Sequence, residues 1–166
     1  MADLKDEVKR EKLPDTRRSV THKAVIHSEN KRIKFFFTVG FYPEEEVEGG
    51  GLKVEGKNRP GEVFLHMDES GSTLDGFADS WAIAISLCLQ RGEPLAELVK
   101  KFSYQEFEPK GMTENPEIPF ARSPVDYVVR WMARHCGKVE GEEGKVEGGG
   151  LKVEEKKEGE NGNNKN

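Results

Sequence analysis

Aromatic and β-branched residues fill most of the stretch "RIKFFFTVGFY" (Arg32–Tyr42). Such residues pack well on a pleated surface, so the stretch predicts a β-strand. Another strand-like stretch, "HKAVIHS" (His22–Ser28), comes before it, and the polar turn "ENKR" lies between the two. A third, "GEVFLHM" (Gly61–Met67), follows and shows a two-residue alternation. Three successive strands predict a small antiparallel β-sheet.

Three helices are predicted downstream of the strands. Ser72 precedes Asp75 by the three residues of a capping box, and it opens "TLDGFADSWAIAISLCLQRG", whose apolar residues recur at helical spacing. Further apolar residues widen that face, so this helix is predicted to be buried on most sides. Gly92 fits the residue after its end, and Pro94 fits the first position of a second helix. A serine cap and a first-turn proline open a third helix within Ser123–Cys136.

Strands followed by helices predict an α+β domain, with a small antiparallel sheet of about three strands and about three helices packed on one of its faces. Between the second and third helices, Phe107–Ser123 holds three prolines and a glycine outside any periodic pattern. Such a composition predicts an extended, packed connector.

The nine letters "VEGGGLKVE" occur twice, at Val47–Glu55 and at Val146–Glu154. We interpret residues 44–57 as an insert that lengthens a hairpin turn, because closure entropy grows slowly with loop length. Two linear motifs that bind a partner are the alternative. Residues 137–166 are rich in Gly, Glu, Lys and Asn, which predicts a disordered tail. Residues 1–12 form a charged lead, so the foldable domain is 13–136, insert included.

The totals exclude several classes of protein. A formal net charge of −5 over 166 residues argues against a sequence-independent nucleic-acid binder. No apolar run approaches the length of a membrane span, so no membrane partner is expected. Two cysteines are too few for a disulfide framework or a four-thiolate zinc site, and they favour the reducing cytoplasm. The four histidines have no metal-ligand spacing. Cys88 is predicted to lie in the core; for Cys136, an exposed redox-active thiol is the alternative to an inert one.

The start of the first predicted helix is a candidate binding site for a phosphate or carboxylate. Gly71, Ser72 and Thr73 lie where a helix presents free backbone N–H groups. Simple helix capping is the alternative, because nearby acidic side chains would repel an anion.

A local basic patch is the second candidate for binding an anion. Arg17, Arg18 and Lys23, with His22 among them, lie just before and within the first predicted strand. The alternative is a solvated approach to that strand. Neither candidate supports catalysis by itself.

Four segments resemble a known family when taken in order: "LPDTRRSVTHK", "GSTLDGFAD", "AISLCLQRGEPLAELVKKF" and "FEPKGMTENPEIPFARSPVDYVVRW". They are similar to the C-terminal region of class II, cobalamin-dependent ribonucleotide reductases, which is known as the TSCPD domain, although those five letters are not contiguous here. The resemblance covers nearly all of Leu13–Met132. It skips Pro43–Asn58, in agreement with an insert there.

The resemblance implies an accessory domain that is not catalytic by itself. Enzymes of this family reduce ribonucleotides to deoxyribonucleotides with a thiyl radical on a barrel cysteine, which adenosylcobalamin generates. This chain lacks that barrel, the radical cysteine, the paired reductant cysteines and the cobalamin-binding region. No catalytic residue is therefore transferred, and no cofactor is expected on this chain.

The implied function is a stand-alone accessory domain, or a separately encoded C-terminal component, of a ribonucleoside-diphosphate reductase. Its expected partner is the catalytic chain of that reductase. The alternative is a free-standing regulatory module that binds a nucleotide or small anion through the two candidate sites. Autonomous reductase activity is a third interpretation.

Overall fold

The computed structural model describes residues 9–29, 31–43 and 58–137. The strands are β1 (Ser19–Ser28), β2 (Lys31–Phe41), β3 (Pro60–Met67), β4 (Gly111–Thr113) and β5 (Phe120–Ala121), and the helices are α1 (Thr73–Gln90), α2 (Leu95–Phe102) and α3 (Pro124–His135). The predicted insert at 44–57, residues 1–8 of the charged lead and the predicted tail from residue 138 lie outside the described residues, as do both copies of the repeat.

The strands form one antiparallel sheet in the order β3-β2-β1-β4-β5. β1 and β2 pair along their whole length, and β2 pairs with β3 as far as Phe41 opposite Pro60. The α+β class and the antiparallel sheet are therefore confirmed. The expected count of about three strands is wrong, because the connector Phe107–Ser123 contributes β4 and β5. These two strands are too short for alternation to show in the sequence.

The core lies between one face of the sheet and the helices, as predicted. Side chains from the three long strands interlock there with side chains from the three helices, and most of them are almost fully buried. The principal members are Ala24, Ile26, Phe35, Phe37, Val39, Val63, Leu65, Met67, Ala82, Ile85, Leu89, Leu98, Val128 and Met132. Removal of this apolar area from water is the main driving force for the fold.

The helix ends follow the capping signals of the sequence. The Ser72 hydroxyl accepts a hydrogen bond from the Asp75 N–H at 3.1 Å, and the Ser123 hydroxyl accepts one from the Asp126 N–H at 3.1 Å. Gly92, after the end of α1, has φ +86°, a conformation that glycine adopts without strain. α2 starts one residue later than predicted, since Pro94 is its cap and not its first helical residue.

α1 is buried on one face only, so its predicted burial on most sides is wrong. Ala82 and Ile85 are buried against the sheet, whereas Phe77 is 73% exposed and Ile83 is 55% exposed. Helical periodicity identified the apolar residues correctly. Their number exceeded what the sheet can cover. Among the described residues, no helix is both long and apolar enough to cross a membrane.

The two cysteines lie in different environments, one exposed and one buried. Cys88 is exposed because it lies on the outer side of α1, so its predicted place in the core is wrong. Cys136 is fully buried at the end of α3. Burial raises the pKa of the Cys136 thiol to about 12, which argues against a redox-active thiol there.

Candidate functional site

The edge of β1 that faces away from β2 is only partly covered. β4 pairs with just two residues at the far end of β1, so no described strand lies beside the edge from Ser19 to Lys23. On the other side, the Arg18 carbonyl accepts a hydrogen bond from the Phe41 N–H at 2.9 Å. Successive residues of a strand direct their backbone groups to opposite edges. Every second residue of this edge therefore directs its N–H and C=O to the open side.

A cleft of about 420 Å³ lies beside this open edge, and we name it the β1-edge cleft. Its walls come from β1, from the segment between β4 and β5, and from α3. They are formed by His22, Lys23, Val25, Glu114, Asn115, Pro116, Glu117, Tyr127, Trp131 and His135. The three α3 residues are spaced four apart, so they form one stripe along the helix.

A hydrogen-bonded chain of three side chains crosses the floor of the cleft. The Asn115 side-chain amide donates to the Tyr127 hydroxyl oxygen at 3.0 Å, and that hydroxyl lies 3.0 Å from Nε2 of His22. Burial raises the pKa of Tyr127, so the hydroxyl stays protonated and donates a hydrogen bond to Nε2 of a neutral His22. Burial, followed by the proximity of His135, lowers the pKa of His22. We therefore assign His22 as neutral, with its proton on Nδ1.

Aromatic rings form one wall of the β1-edge cleft. The rings of Trp131 and His135 are stacked, with centroids 4.3 Å apart, and the His22 ring lies 5.3 Å from that of Trp131. His135 Nδ1 donates to the Trp131 carbonyl at 2.9 Å, which fixes the orientation of the ring. Nε2 of His135 lies 3.5 Å from a carboxylate oxygen of Glu117. Such a wall can stack against a planar group, while Lys23 offers a positive charge at the rim.

The segment that carries Asn115 reaches the cleft because of a glycine. A Cβ on Gly111 would lie 1.9 Å from the His27 carbonyl oxygen, so only glycine allows β4 to lie against β1 here. Beyond β4, the Thr113 hydroxyl accepts the Asn115 N–H at 3.1 Å. The Asn115 side-chain oxygen accepts the Glu117 N–H at 3.0 Å, which directs its amide toward Tyr127.

A buried carboxylate positions the stripe on α3. Asp126 is fully buried and accepts the N–H of Tyr104 at 2.7 Å and of Arg122 at 2.9 Å. It also pairs with the Arg130 guanidinium at 3.2 Å. Its charge is therefore compensated inside the protein, as burial requires. Asp126 fixes the start of α3 and, through it, the position of Tyr127.

The predicted anion site at the start of α1 is built as a helix cap. Ser72 caps the helix, and the Asp75 carboxylate accepts the N–H of Gly71 at 3.0 Å and of Met67 at 2.9 Å. These two hydrogen bonds lower the pKa of Asp75. The backbone donor of Gly71 is thus engaged by the protein's own carboxylate. Thr73 is exposed in the first turn.

The residues of the predicted basic patch contact different parts of the protein. Arg17 forms an ion pair with Glu62, and Arg18 contacts Asn58 and lies 4.7 Å above the Phe41 ring. Only Lys23, with the neighbouring His22, lines the β1-edge cleft.

The structure does not bring the two predicted sites together. Arg17 binds near the start of β3, at Glu62, whereas Gly71 and Ser72 follow its other end, at Met67. Glu62 and Met67 are five residue steps apart along β3, which corresponds to roughly 17 Å. Anion binding by Gly71, Ser72, Thr73, Arg17, Arg18 or Lys23 stays a prediction.

Most residues of the β1-edge cleft were not predicted from the sequence. Tyr127, Trp131 and His135 could have been grouped from their spacing on the predicted third helix. His22 could not, because 105 residues separate it from Tyr127. Asn115 lies in the connector, where no periodicity exists to orient a side chain.

Adenosylcobalamin does not fit either of two concavities formed by the described residues. The β1-edge cleft measures about 420 Å³, and the other concavity, beside Arg17 and Glu62, measures about 320 Å³. A corrinoid is larger than the drug-sized ligands that fill pockets of about 300–1,000 Å³. In the described ranges, no three His, Cys, Asp or Glu side chains converge as a metal site would require. The absence of a cofactor on this chain stays a prediction.

Fold and site together describe a small α+β domain with a cleft beside an open strand edge. The family model of the TSCPD domain matches residues 7–136, and the chain belongs to this family. The resemblance read from the sequence is thereby confirmed. No solved structure matches the chain.

The curated relatives are much longer than this chain. It is 42% identical to the vitamin B12-dependent ribonucleotide reductase of Rhodopirellula baltica over 124 residues, which are 75% of the chain and 10% of that relative. The enzymes of the same name from Streptomyces avermitilis and Bradyrhizobium diazoefficiens are each 38% identical to it, and the match covers 75% of the chain and 11% or 9% of the relative. The chain thus matches about a tenth of each of these relatives.

Proposed function

We propose that this chain is an accessory domain of a vitamin B12-dependent ribonucleotide reductase and is not catalytic alone. It assists the reduction of ribonucleotides for DNA synthesis, either in trans or as a C-terminal component, in the cytoplasm. The observation that carries the proposal is the family match over residues 7–136, a segment that makes up about a tenth of reductases of that name.

The chemistry of the two cysteines supports assistance over catalysis. Ribonucleotide reduction consumes two electrons, which the family resemblance assigns to paired cysteines. This sequence has two cysteines in all, and Cys136 is fully buried with its thiol pKa raised to about 12. Such a thiol is almost wholly protonated at neutral pH and is a poor nucleophile. Among the cysteines of this sequence, exposed Cys88 on α1 therefore has no reactive partner.

Complex formation tests the proposal. The chain is mixed with the catalytic chain of the B12-dependent reductase from the same cell, from which any TSCPD segment has been removed. We expect co-elution from a sizing column and a saturable binding isotherm. An unrelated acidic protein of similar size is the control. The proposal would be refuted if the protein neither bound the catalytic chain nor changed the activity of that chain.

Binding of a nucleotide or small anion is the second candidate function. The observation that favours it is Lys23 at the rim of the β1-edge cleft, beside the stacked rings of Trp131 and His135. A ligand that binds only the native state raises the melting temperature. Nucleotides should raise it for the wild type and less for Lys23→Ala, whereas Lys100→Ala, on the exposed side of α2, should behave like the wild type. No shift with any nucleotide would remove this candidate.

A further inference from the structure

The outward side of α1 is apolar and exposed, and we name it the α1 outer face. Its exposed residues are Gly76, Phe77, Ser80, Ile83, Ala84 and Cys88, and half-buried Leu87 lies among them. It lies on the opposite side of the helix from Ala82 and Ile85, which pack on the sheet. Only one charged residue, Asp79, occurs from Gly76 to Gln90, in a chain that is 34% charged.

Apolar residues on both sides of a helix are typical of a helix that is covered on two sides. A helix at the surface of a soluble domain normally carries polar residues on its outer side. Here Phe77 and Ile83 are 73% and 55% exposed. The sheet covers only the inner side, so within the described residues the sequence provides an apolar face without its cover. An exposed patch of this kind marks an interaction surface.

The shape of the α1 outer face fits another helix. Gly76, Ser80 and Ala84 are spaced four apart, so they line one row with short side chains. Phe77 and Ile83 rise on either side of that row. A groove between two ridges accepts the side-chain ridge of a second helix.

We propose that the α1 outer face binds an apolar helix of the reductase catalytic chain. This inference rests on the proposed function and specifies which surface makes the contact. In the curated relatives, the matching segment is about a tenth of one longer polypeptide. Covalent attachment gives a high effective concentration, so a contact of modest area suffices there.

The area of the face argues against a dimer of this chain that the α1 outer face holds by itself. α1 has 18 residues, so it is roughly 27 Å long and about 10 Å wide, which gives a footprint of about 270 Å². A stable complex of separate chains buries about 800 Å² on each partner, so a separate catalytic chain would bind the α1 outer face as one part of a larger contact. The chain's own residues 138–166 are also poor occupants, because they contain only four apolar residues, Val139, Val146, Leu151 and Val153.

Binding of the full chain to the catalytic chain tests this surface with matched variants. Ile83→Glu places a charge in the centre of the α1 outer face. Met112→Glu is the control, because Met112 is 58% exposed on β4, away from that face. We expect Ile83→Glu to weaken binding at least tenfold and Met112→Glu to change it less than twofold. Circular dichroism checks that both variants are folded.

Cys88 gives a second measurement that needs no substitution. It is exposed on the α1 outer face, whereas Cys136 is buried, so a maleimide reports on Cys88 alone. The catalytic chain should slow this labelling at least fivefold.

Three results would overturn the inference, and they differ in what else they refute. Wild-type binding that Ile83→Glu leaves intact, with Cys88 unprotected, refutes the surface and leaves the proposed function standing. Absence of wild-type binding refutes both. A dimer of the protein alone that Ile83→Glu abolishes would identify a second copy as the occupant.

Discussion

At the residue scale, the β1-edge cleft depends on groups held in one protonation state. Tyr127 stays protonated because burial raises its pKa, and its hydroxyl donates a hydrogen bond to neutral His22. Burial also lowers the pKa of His22. The geometry of the cleft and the protonation state of His22 are thus linked.

This link predicts a pH dependence of stability. Because the pKa of His22 is lower in the folded chain than its ordinary value of about 6.5, the unfolded chain binds more protons between these two values. The contribution of neutral His22 is therefore present above pH 6.5 and is lost as the pH falls through that window. We expect the free energy of unfolding, measured with urea, to decline from pH 7.5 to 5.5.

The control for this effect is His22→Gln, which can still accept a hydrogen bond from Tyr127 but does not titrate. It should show a shallower decline over the same range, whatever its overall stability. Equal slopes in the two proteins would show that His22 is not held neutral in the fold.

At the element scale, one side of α1 is buried against the sheet, and the opposite side is exposed and available to a partner. Ile85 is 3% exposed and Ile83 is 55% exposed, although the two have the same side chain on the same helix. Burial of an apolar side chain, and not its position in a helix, determines what its removal costs.

The two isoleucines therefore make a matched pair. Ile85→Ala should lower the free energy of unfolding by roughly 2–5 kcal/mol, because it leaves a cavity between α1 and the sheet. Ile83→Ala should change it by about 0.5 kcal/mol or less. Chemical denaturation of both variants is the measurement. Equal losses would mean that α1 has a different orientation on the sheet.

The elements that the sequence predicted are those with local chemical signals. The Ser72 and Ser123 caps, the Pro124 start and the Gly92 terminus all depend on neighbours within four residues, and the structure has each of them. β4 and β5 have no such signal: they are three and two residues long and depend on pairing with distant β1. The cleft was missed for the same reason, since His22 and Tyr127 meet only in the folded chain.

At the scale of the whole molecule, β2 and β3 pair up to Phe41 and Pro60, on either side of a long connector. The paired residues of β2 and β3 are among the described residues. The insert predicted at 44–57 lies outside them. If those residues are an insert, the strands hold each other without it.

Replacing residues 44–57 by Asp-Gly tests that prediction. A shorter loop loses less closure entropy on folding, so stability should hold or rise by up to roughly 1–2 kcal/mol. Amide exchange should show unchanged protection at Phe35, Val39 and Leu65. Removing residues 137–166 in the same protein should add little. Lost protection at Leu65 would mean that the connector is part of the sheet.

We propose that this TSCPD domain assists a reductase and does not catalyse alone. The most direct test is the rate at which deoxynucleotide forms from a ribonucleoside diphosphate, with adenosylcobalamin and a dithiol present. The protein alone should form no product, and a catalytic chain without its own TSCPD segment should change its rate when the protein is added. Product from the protein alone, or a catalytic chain whose rate and binding are both unaffected, would contradict the account.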